Sequence, residues 1–186
     1  MNISSKHQLI GIAGSFASGK DTIAHHLEKD FEFTHVSTGD MVREAALRER
    51  GSIERDVLHA VADEHRHRDG AGAFVMHALK KPRPLVITGI RALGEAKALK
   101  TAGGILIFVD APVEVRYERM KARHRDAETE LSLEQFHANE EKEWHSGETD
   151  ADFNLRDIKM MADVVIDNVV PLDEFIKNVY KKLSII

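Results

Sequence analysis

Leu9-Ile10-Gly11-Ile12-Ala13-Gly14-Ser15-Phe16-Ala17-Ser18-Gly19-Lys20 is the stretch that decides the fold. Residues 9–13 form an unbroken apolar run that stops at a glycine-rich turn, the pattern of a buried strand. Gly14, Gly19 and Lys20 follow with the spacing Gly-x-x-x-x-Gly-Lys. Glycine permits backbone conformations that turn successive N–H groups inward around an anion. Residues 20–29 read as a helix, with Ile23 and Leu27 one turn apart. The start of that helix adds a partial positive charge at the same spot. Strand, glycine loop and helix in this order make a phosphate cradle.

Outward from that stretch, short apolar runs alternate with longer amphipathic ones. Strands are expected at residues 33–36, 85–88, 105–109 and 163–166. Helices are expected at residues 41–50, 53–67, 73–80, 93–100, from Pro112 to about 124, 133–145 and 172–183. Ile53, Val57, Leu58 and Val61 should share one face of the second of these. Ser37-Thr38-Gly39-Asp40 is a turn rich in capping residues, and Gly51-Ser52 is a break. Such alternation predicts a three-layer α/β domain, a mostly parallel sheet flanked by helices, spanning residues 1–186. Residues 124–152 carry many charges and few large apolar groups, and residues 146–152 look like a hinge. A mobile flap is the expectation there.

Composition narrows the function classes. The chain has 186 residues and no cysteine, which excludes disulfides, zinc–thiolate sites, iron–sulfur clusters and cysteine nucleophiles. Lys plus Arg is 26 and Asp plus Glu is 31, a net charge of −5. That balance argues against non-specific nucleic-acid binding. The longest strongly apolar run, residues 103–109, is far short of the ~20 residues of a membrane span. Residues 9–13 are too few for the apolar part of a signal peptide. A cytoplasmic protein without membrane or nucleic-acid partners is expected, with the oligomeric state open. The 11 histidines, among them His25, His26, His65 and His67, show no metal-ligand spacing and read as surface groups.

The glycine loop matches a P-loop in motif and context, which assigns the chain to the P-loop NTPase fold. Gly14, Ser15, Phe16, Ala17, Ser18 and Gly19 would wrap the donor phosphates, and Lys20 would follow charge into the transition state. A Ser or Thr that normally gives its hydroxyl to magnesium is replaced by Asp21, followed by Thr22. Asp21 or Thr22 is the candidate metal ligand, and Asp40 and Asp110 could complete the shell.

His35-Val36-Ser37-Thr38-Gly39-Asp40-Met41-Val42-Arg43 closely resembles the acceptor-site motif of adenylate kinases. The resemblance implies that Thr38 and Gly39 lie near an acceptor base and that Arg43 binds its phosphate. Gly89-Ile90-Arg91 resembles the strand end of nucleoside monophosphate kinases, which implies a second acceptor-phosphate arginine in Arg91. Thr88 stands where many of those proteins carry an acidic group that helps to hold magnesium. Residues 109–123 look like the strand and lid helix of the same superfamily, which implies Arg119 and Arg123 as lid arginines acting on the moving phosphoryl group. Arg116 shares their face, with a solvated pairing to Glu114 and Glu118 as the competing reading, and Arg156 is a candidate returning lid arginine. Residues 162–168 resemble the last strand and loop of adenylate and dephospho-coenzyme A kinases, which puts Asn168 beside the donor adenine. His124-Arg125-Asp126 spells a protein-kinase triplet without its companions and is chance.

The resemblance covers residues 9–183. It implies an ATP- and magnesium-dependent kinase acting on a small nucleotide-like acceptor, foremost a nucleoside or deoxynucleoside monophosphate. Residues 38–80 would hold the acceptor and residues 116–156 would form the lid. Dephospho-coenzyme A kinase is the alternative, with Asp40 as general base for a ribose hydroxyl. A P-loop ATPase or switch that regulates a partner is the second.

Overall fold

The computed structural model describes residues 7–122 and 131–184. Arg123 and the triplet after it, and so the centre of the expected lid, lie outside the described residues. Five strands form one all-parallel sheet: β1 (Leu9–Gly14), β2 (Thr34–Ser37), β3 (Leu85–Ile90), β4 (Ile105–Asp110) and β5 (Val164–Asp167), in the order β2-β3-β1-β4-β5. Leu9 pairs with Leu85, and Ile10 with Ile105. Alternate side chains of each strand enter opposite faces. Ile10, Ile12, Val86 and Ile107 meet Ile23 and Leu27 of α1 (Lys20–Phe31) and Phe175 and Val179 of α9 (Leu172–Lys182). On the other face Leu9, Leu85, Ile87, Leu106 and Phe108 meet Val75 of α4 (Ala73–Ala78), Leu99 of α5 (Leu93–Thr101) and Ile158 of α8 (Leu155–Met161). These layers are the expected three.

β1 is central and buried along its whole length, with neighbours on both sides. The loop after it therefore opens at the carboxyl ends of the strands, where β1 meets both β3 and β4. Parallel sheets bind ligands there. α2 (Thr38–Arg50) starts earlier than expected, because Ser37 caps it by accepting from Asp40 N at 3.1 Å. α3 is Arg55–Asp69, so Ile53 precedes the helix and is exposed, not part of its apolar face.

Two expectations after α6 (Val113–Ala122) are corrected. α7 (Leu133–Trp144) packs Phe136 against Ala17 and Met120, so the described part of the expected flap is anchored beside the P-loop. Residues 146–152 are not a loose hinge. Ser146 N donates to Phe153 O at 2.9 Å, Gly94 N to Asp150 O at 2.8 Å, and Asp152 accepts from both the amide and the hydroxyl of Thr149. Composition counts such groups as solvated, whereas here they satisfy one another. α8 follows unforeseen, since its two buried residues, Leu155 and Ile158, are hidden among charges. Among the described residues no helix is long and apolar enough to cross a membrane.

Candidate functional site

The loop after β1 owes its shape to three residues at positive φ: Gly14 (141°), Ala17 (59°) and Gly19 (104°). A Cβ at Gly14 would stand 2.2 Å from the carbonyl oxygen of Val109, so only glycine fits. Lys20 curls back and donates to Ser15 O at 2.8 Å. Ser18 Oγ is buried without a hydrogen-bond partner among the described residues. The loop is fastened from below. Asn168 Nδ2 donates to Ser18 O at 2.8 Å, and Arg119 Nη2 donates to Asn168 O at 2.9 Å. Asn168 is buried and its side chain holds the loop's own carbonyl, so it acts on the cradle instead of reaching toward a base. Arg119 is held at the same place.

A cavity of about 200 Å³ opens over the loop. Phe16, Ala17, Gly19, Lys20 and Asp21 line it from the loop and the start of α1. Ser37, Gly39, Asp40 and Arg43 line it from α2 and its cap, and Thr88, Gly89 and Arg91 from the end of β3. Three stretches read separately from the sequence thus share one space. Thr38, expected near an acceptor base, is buried instead and donates to Gly89 O at 2.8 Å. Gly89 sits at φ 85°, and a Cβ there would come within 2.6 Å of Thr38 Oγ1. That pair welds α2 to β3 and leaves Gly39 on the wall.

The carboxylates sort themselves by partner. Asp110 accepts from Lys159 at 2.5 Å and from Ala111 N at 2.9 Å, which counts against the metal shell. Thr22 does not line the cavity. Asp21 and Asp40 do, and Asp40 is paired with Arg43. The glycine-shaped loop with Lys20 in the cavity wall, and Asp21 as a hard oxygen donor at its rim, fit a phosphate chain with Mg2+. Thr88 shares a hydrogen bond with His35 Nε2 at 2.9 Å.

The sequence reading missed Glu143. It is buried on α7 and accepts from Arg55 Nη2 at 2.6 Å, Arg91 Nη1 at 2.9 Å and, through the ring, His59 Nε2 at 3.1 Å. Burial alone would push its carboxyl up, but Arg91, His59 and Arg55 together hold it far below the usual carboxylate range. Glu143 therefore aims Arg91. A signal existed: Phe136, Glu140, Glu143 and Trp144 recur at helical spacing and so share one face. Glu140 on that face takes Arg116. Arg116 is buried, and donates to Ala111 O at 2.7 Å, Glu140 Oε2 at 2.8 Å and Phe16 O at 3.4 Å. It is neither solvated with Glu114 and Glu118 nor a lid arginine, but a strut between α6, α7 and the P-loop. Arg156 is exposed on α8, bonded to its neighbour Asp157, and does not line the cavity.

A second space of about 260 Å³ adjoins the first and shares Phe16, Arg43 and Arg91 with it. Ile53, Leu58 and Leu131 give it apolar walls, and the Arg55 guanidinium lies 4.8 Å from the centre of the Phe16 ring. A larger groove of about 600 Å³ lies outside this site, among α2, α3 and α4, and takes in no residue of the P-loop.

The model of the AAA domain family matches residues 10–144. The chain belongs to that family. Among relatives of this AAA domain, a UPF0200 protein of Thermococcus onnurineus is 30% identical over 182 residues, covering 92% of this chain and 94% of its own length. A UPF0200 protein of Pyrobaculum aerophilum is 33% identical over 162 residues, covering 86% and 87%. Against the UPF0200/UPF0201 protein of Archaeoglobus fulgidus, 30% identical, the chain spans about half the relative's length, 54%. Solved structures share the fold at low identity. Shikimate kinase from Bacteroides thetaiotaomicron has a TM-score of 0.63 at 10% identity, over 95% of this chain and 98% of that one. Shikimate kinase from Acinetobacter baumannii in complex with shikimate gives 0.60 at 19%, over 95% and 93%. A gluconokinase from Sinorhizobium meliloti gives 0.57 at 16%, over 97% and 94%. The AAA domain described here thus has a small P-loop kinase fold.

Proposed function

We propose that the protein transfers the γ-phosphoryl group of ATP to a small nucleotide-like acceptor that carries a phosphate, in the first place a nucleoside or deoxynucleoside monophosphate. One observation carries this reading: Lys20, Arg43 and Arg91 line the same cavity. The loop amides and Lys20 hold the donor phosphates. Arg43 and Arg91 hold the acceptor phosphate in line, each already oriented by a carboxylate, Asp40 and Glu143. A guanidinium has five N–H donors, so one contact of this kind leaves others for an anion. An acceptor phosphate oxygen attacks the γ-phosphorus, the bond to the β–γ bridging oxygen breaks, and ADP leaves with that oxygen. No general base is needed, because the acceptor phosphate is already nucleophilic. Asp21 would hold Mg2+, which would supply positive charge to the donor phosphates. Arg123 is assigned to the moving group and Arg119, through Asn168, to holding the loop beneath it; residues 38–80 are assigned to the acceptor and residues 116–156 to the lid. The adjoining 260 Å³ space has room for the acceptor's organic part.

A second reading is favoured by Asp40 on the cavity wall and by the names of the fold neighbours, which point to hydroxyl-bearing acceptors. A hydroxyl nucleophile profits from a carboxylate base, and dephospho-coenzyme A is the nucleotide-like example. ADP formation from ATP and magnesium, measured with each ribo- and deoxyribonucleoside monophosphate, dephospho-coenzyme A, shikimate, gluconate and no acceptor, separates the readings. Stimulation by a monophosphate supports the first. Stimulation only by a hydroxyl acceptor replaces it with the second. ADP release that no acceptor changes points to an ATPase switch or to an acceptor outside the panel.

A further inference from the structure

Three side chains that the phosphoryl-transfer scheme does not use converge beside the cavity. His25 and Glu28 lie one turn apart on α1, and His35 stands on β2. His25 Nδ1 is 3.0 Å from Glu28 Oε2, and His35 Nδ1 is 3.6 Å from the same oxygen. One donor atom from each of the three lies within 4.8 Å of the others. The imidazole rings meet edge to face, with centroids 5.9 Å apart. Both rings line the same cavity as Lys20 and Asp21.

The ring of His35 is fixed by its outer partner. Nε2 is bonded to Thr88 Oγ1 at 2.9 Å, which turns Nδ1 toward Glu28 at a distance too long for a good hydrogen bond. Donors about 2.0–2.1 Å from a tetrahedral metal ion stand roughly 3.3–3.5 Å from one another. The two separations found here, 3.0 and 3.6 Å, bracket that edge length. An outer hydrogen bond such as Thr88 makes is the usual device that orients a metal-bound imidazole.

We propose that His25, Glu28 and His35 bind a divalent transition metal of the zinc class, with one coordination position open toward the cavity. Two imidazoles and one carboxylate suit zinc, cobalt(II) or nickel(II). They do not suit Mg2+, which demands oxygen ligands in octahedral array, so this site differs in chemistry from the one assigned to Asp21. Its open position shares the cavity with Lys20, where an oxyanion of a bound ligand can complete the coordination. The absence of cysteine concealed the site, because the ligands come from a helix and a strand and have no spacing signature.

Calorimetric titration of the metal-stripped chain with zinc chloride in excess magnesium tests this, with cobalt(II) absorption as the second readout. One equivalent bound per chain and a tetrahedral cobalt spectrum are expected. The side chain of His25 is 71% exposed, so His25→Ala leaves the core intact, and circular dichroism checks it. This variant should bind zinc at least about tenfold more weakly and lose the cobalt band. Thr88→Val, which removes only the outer hydrogen bond, should weaken binding by about 10–100-fold. His67→Ala, in a separate cluster with Asp63 and Asp152, should bind as the parent does. No stoichiometric binding, displacement by magnesium, unchanged affinity in His25→Ala and Thr88→Val, or loss in His67→Ala overturns the proposal.

Discussion

A carboxylate shut away from water keeps its charge only among cations, and Glu143 has Arg55 and Arg91 around it, with His59 as a further hydrogen-bond partner. Glu143→Gln should release Arg91 and raise the KM for the acceptor about tenfold, the effect of losing roughly 1.4 kcal/mol of positioning, with a much smaller change in the KM for ATP. Steady-state kinetics in each substrate read the split, and equal effects on both would refute the positioning role. The same residue sets a pH response. Its folded pKa lies far below the ordinary 4.5, so its stabilising contribution is complete above that value and is lost as pH falls below it. The thermal midpoint of the parent should therefore drop through the acid range below pH 4.5, and more steeply than that of Glu143→Gln. At Lys20 the expectation is simpler. Lys20→Met should lower kcat by at least about 10²-fold, the usual loss when a group that stabilises transition-state charge is removed. A Lys20→Met enzyme with near-parental turnover would exclude Lys20 from the chemistry.

Helix α7 braces the P-loop through aromatic contacts. Phe136 lies 5.9 Å from Phe16 and 5.7 Å from Tyr117, ring centre to ring centre, and Arg116 bonds α6 to both α7 and the loop carbonyl. Phe136→Ala removes a buried ring and should cost about 3–5 kcal/mol, read by denaturant unfolding. Because the cavity forms against Ala17, the variant should also bind ATP more weakly at a temperature where it is still folded. From the other side the loop between β5 and α9 grips the cradle through Asn168. Asn168→Ala leaves Ser18 O without that donor and should cost about 1–3 kcal/mol, with a raised KM for ATP and an unchanged KM for the acceptor. An acceptor effect as large as the donor effect would contradict this division of labour between the two sides.

Across the whole molecule the carboxyl ends of the strands bring together the two sites proposed above, a donor site at the end of β1 and an acceptor site between α2, α3 and the end of β3. A ligand that binds the folded state alone stabilises it by about 2.7 kcal/mol at a hundred times its Kd. A non-hydrolysable ATP analogue and the accepted monophosphate should therefore each raise the melting temperature, and both together should raise it further. A switch with one nucleotide site would show no second increment. Zinc at the His25–Glu28–His35 site would add a third shift that His25→Ala removes.

The sequence alone determined the cradle, the alternation of strands and helices, and the stretches that line the cavity. These are local: a glycine's freedom, an apolar run and a helical period are properties of neighbouring residues. It could not determine what each polar side chain faces, because those partners are distant in the chain. Arg91 and Glu143 are 52 residues apart, Thr38 and Gly89 are 51, and Asn168 and Ser18 are 150. Arg116 read as surface and Thr38 as a binding residue for the same reason, since burial and pairing arise only when elements pack. A charged residue reads as solvated until a counter-ion from another helix meets it, so the tertiary structure decided which arginines are struts and which line the cavity.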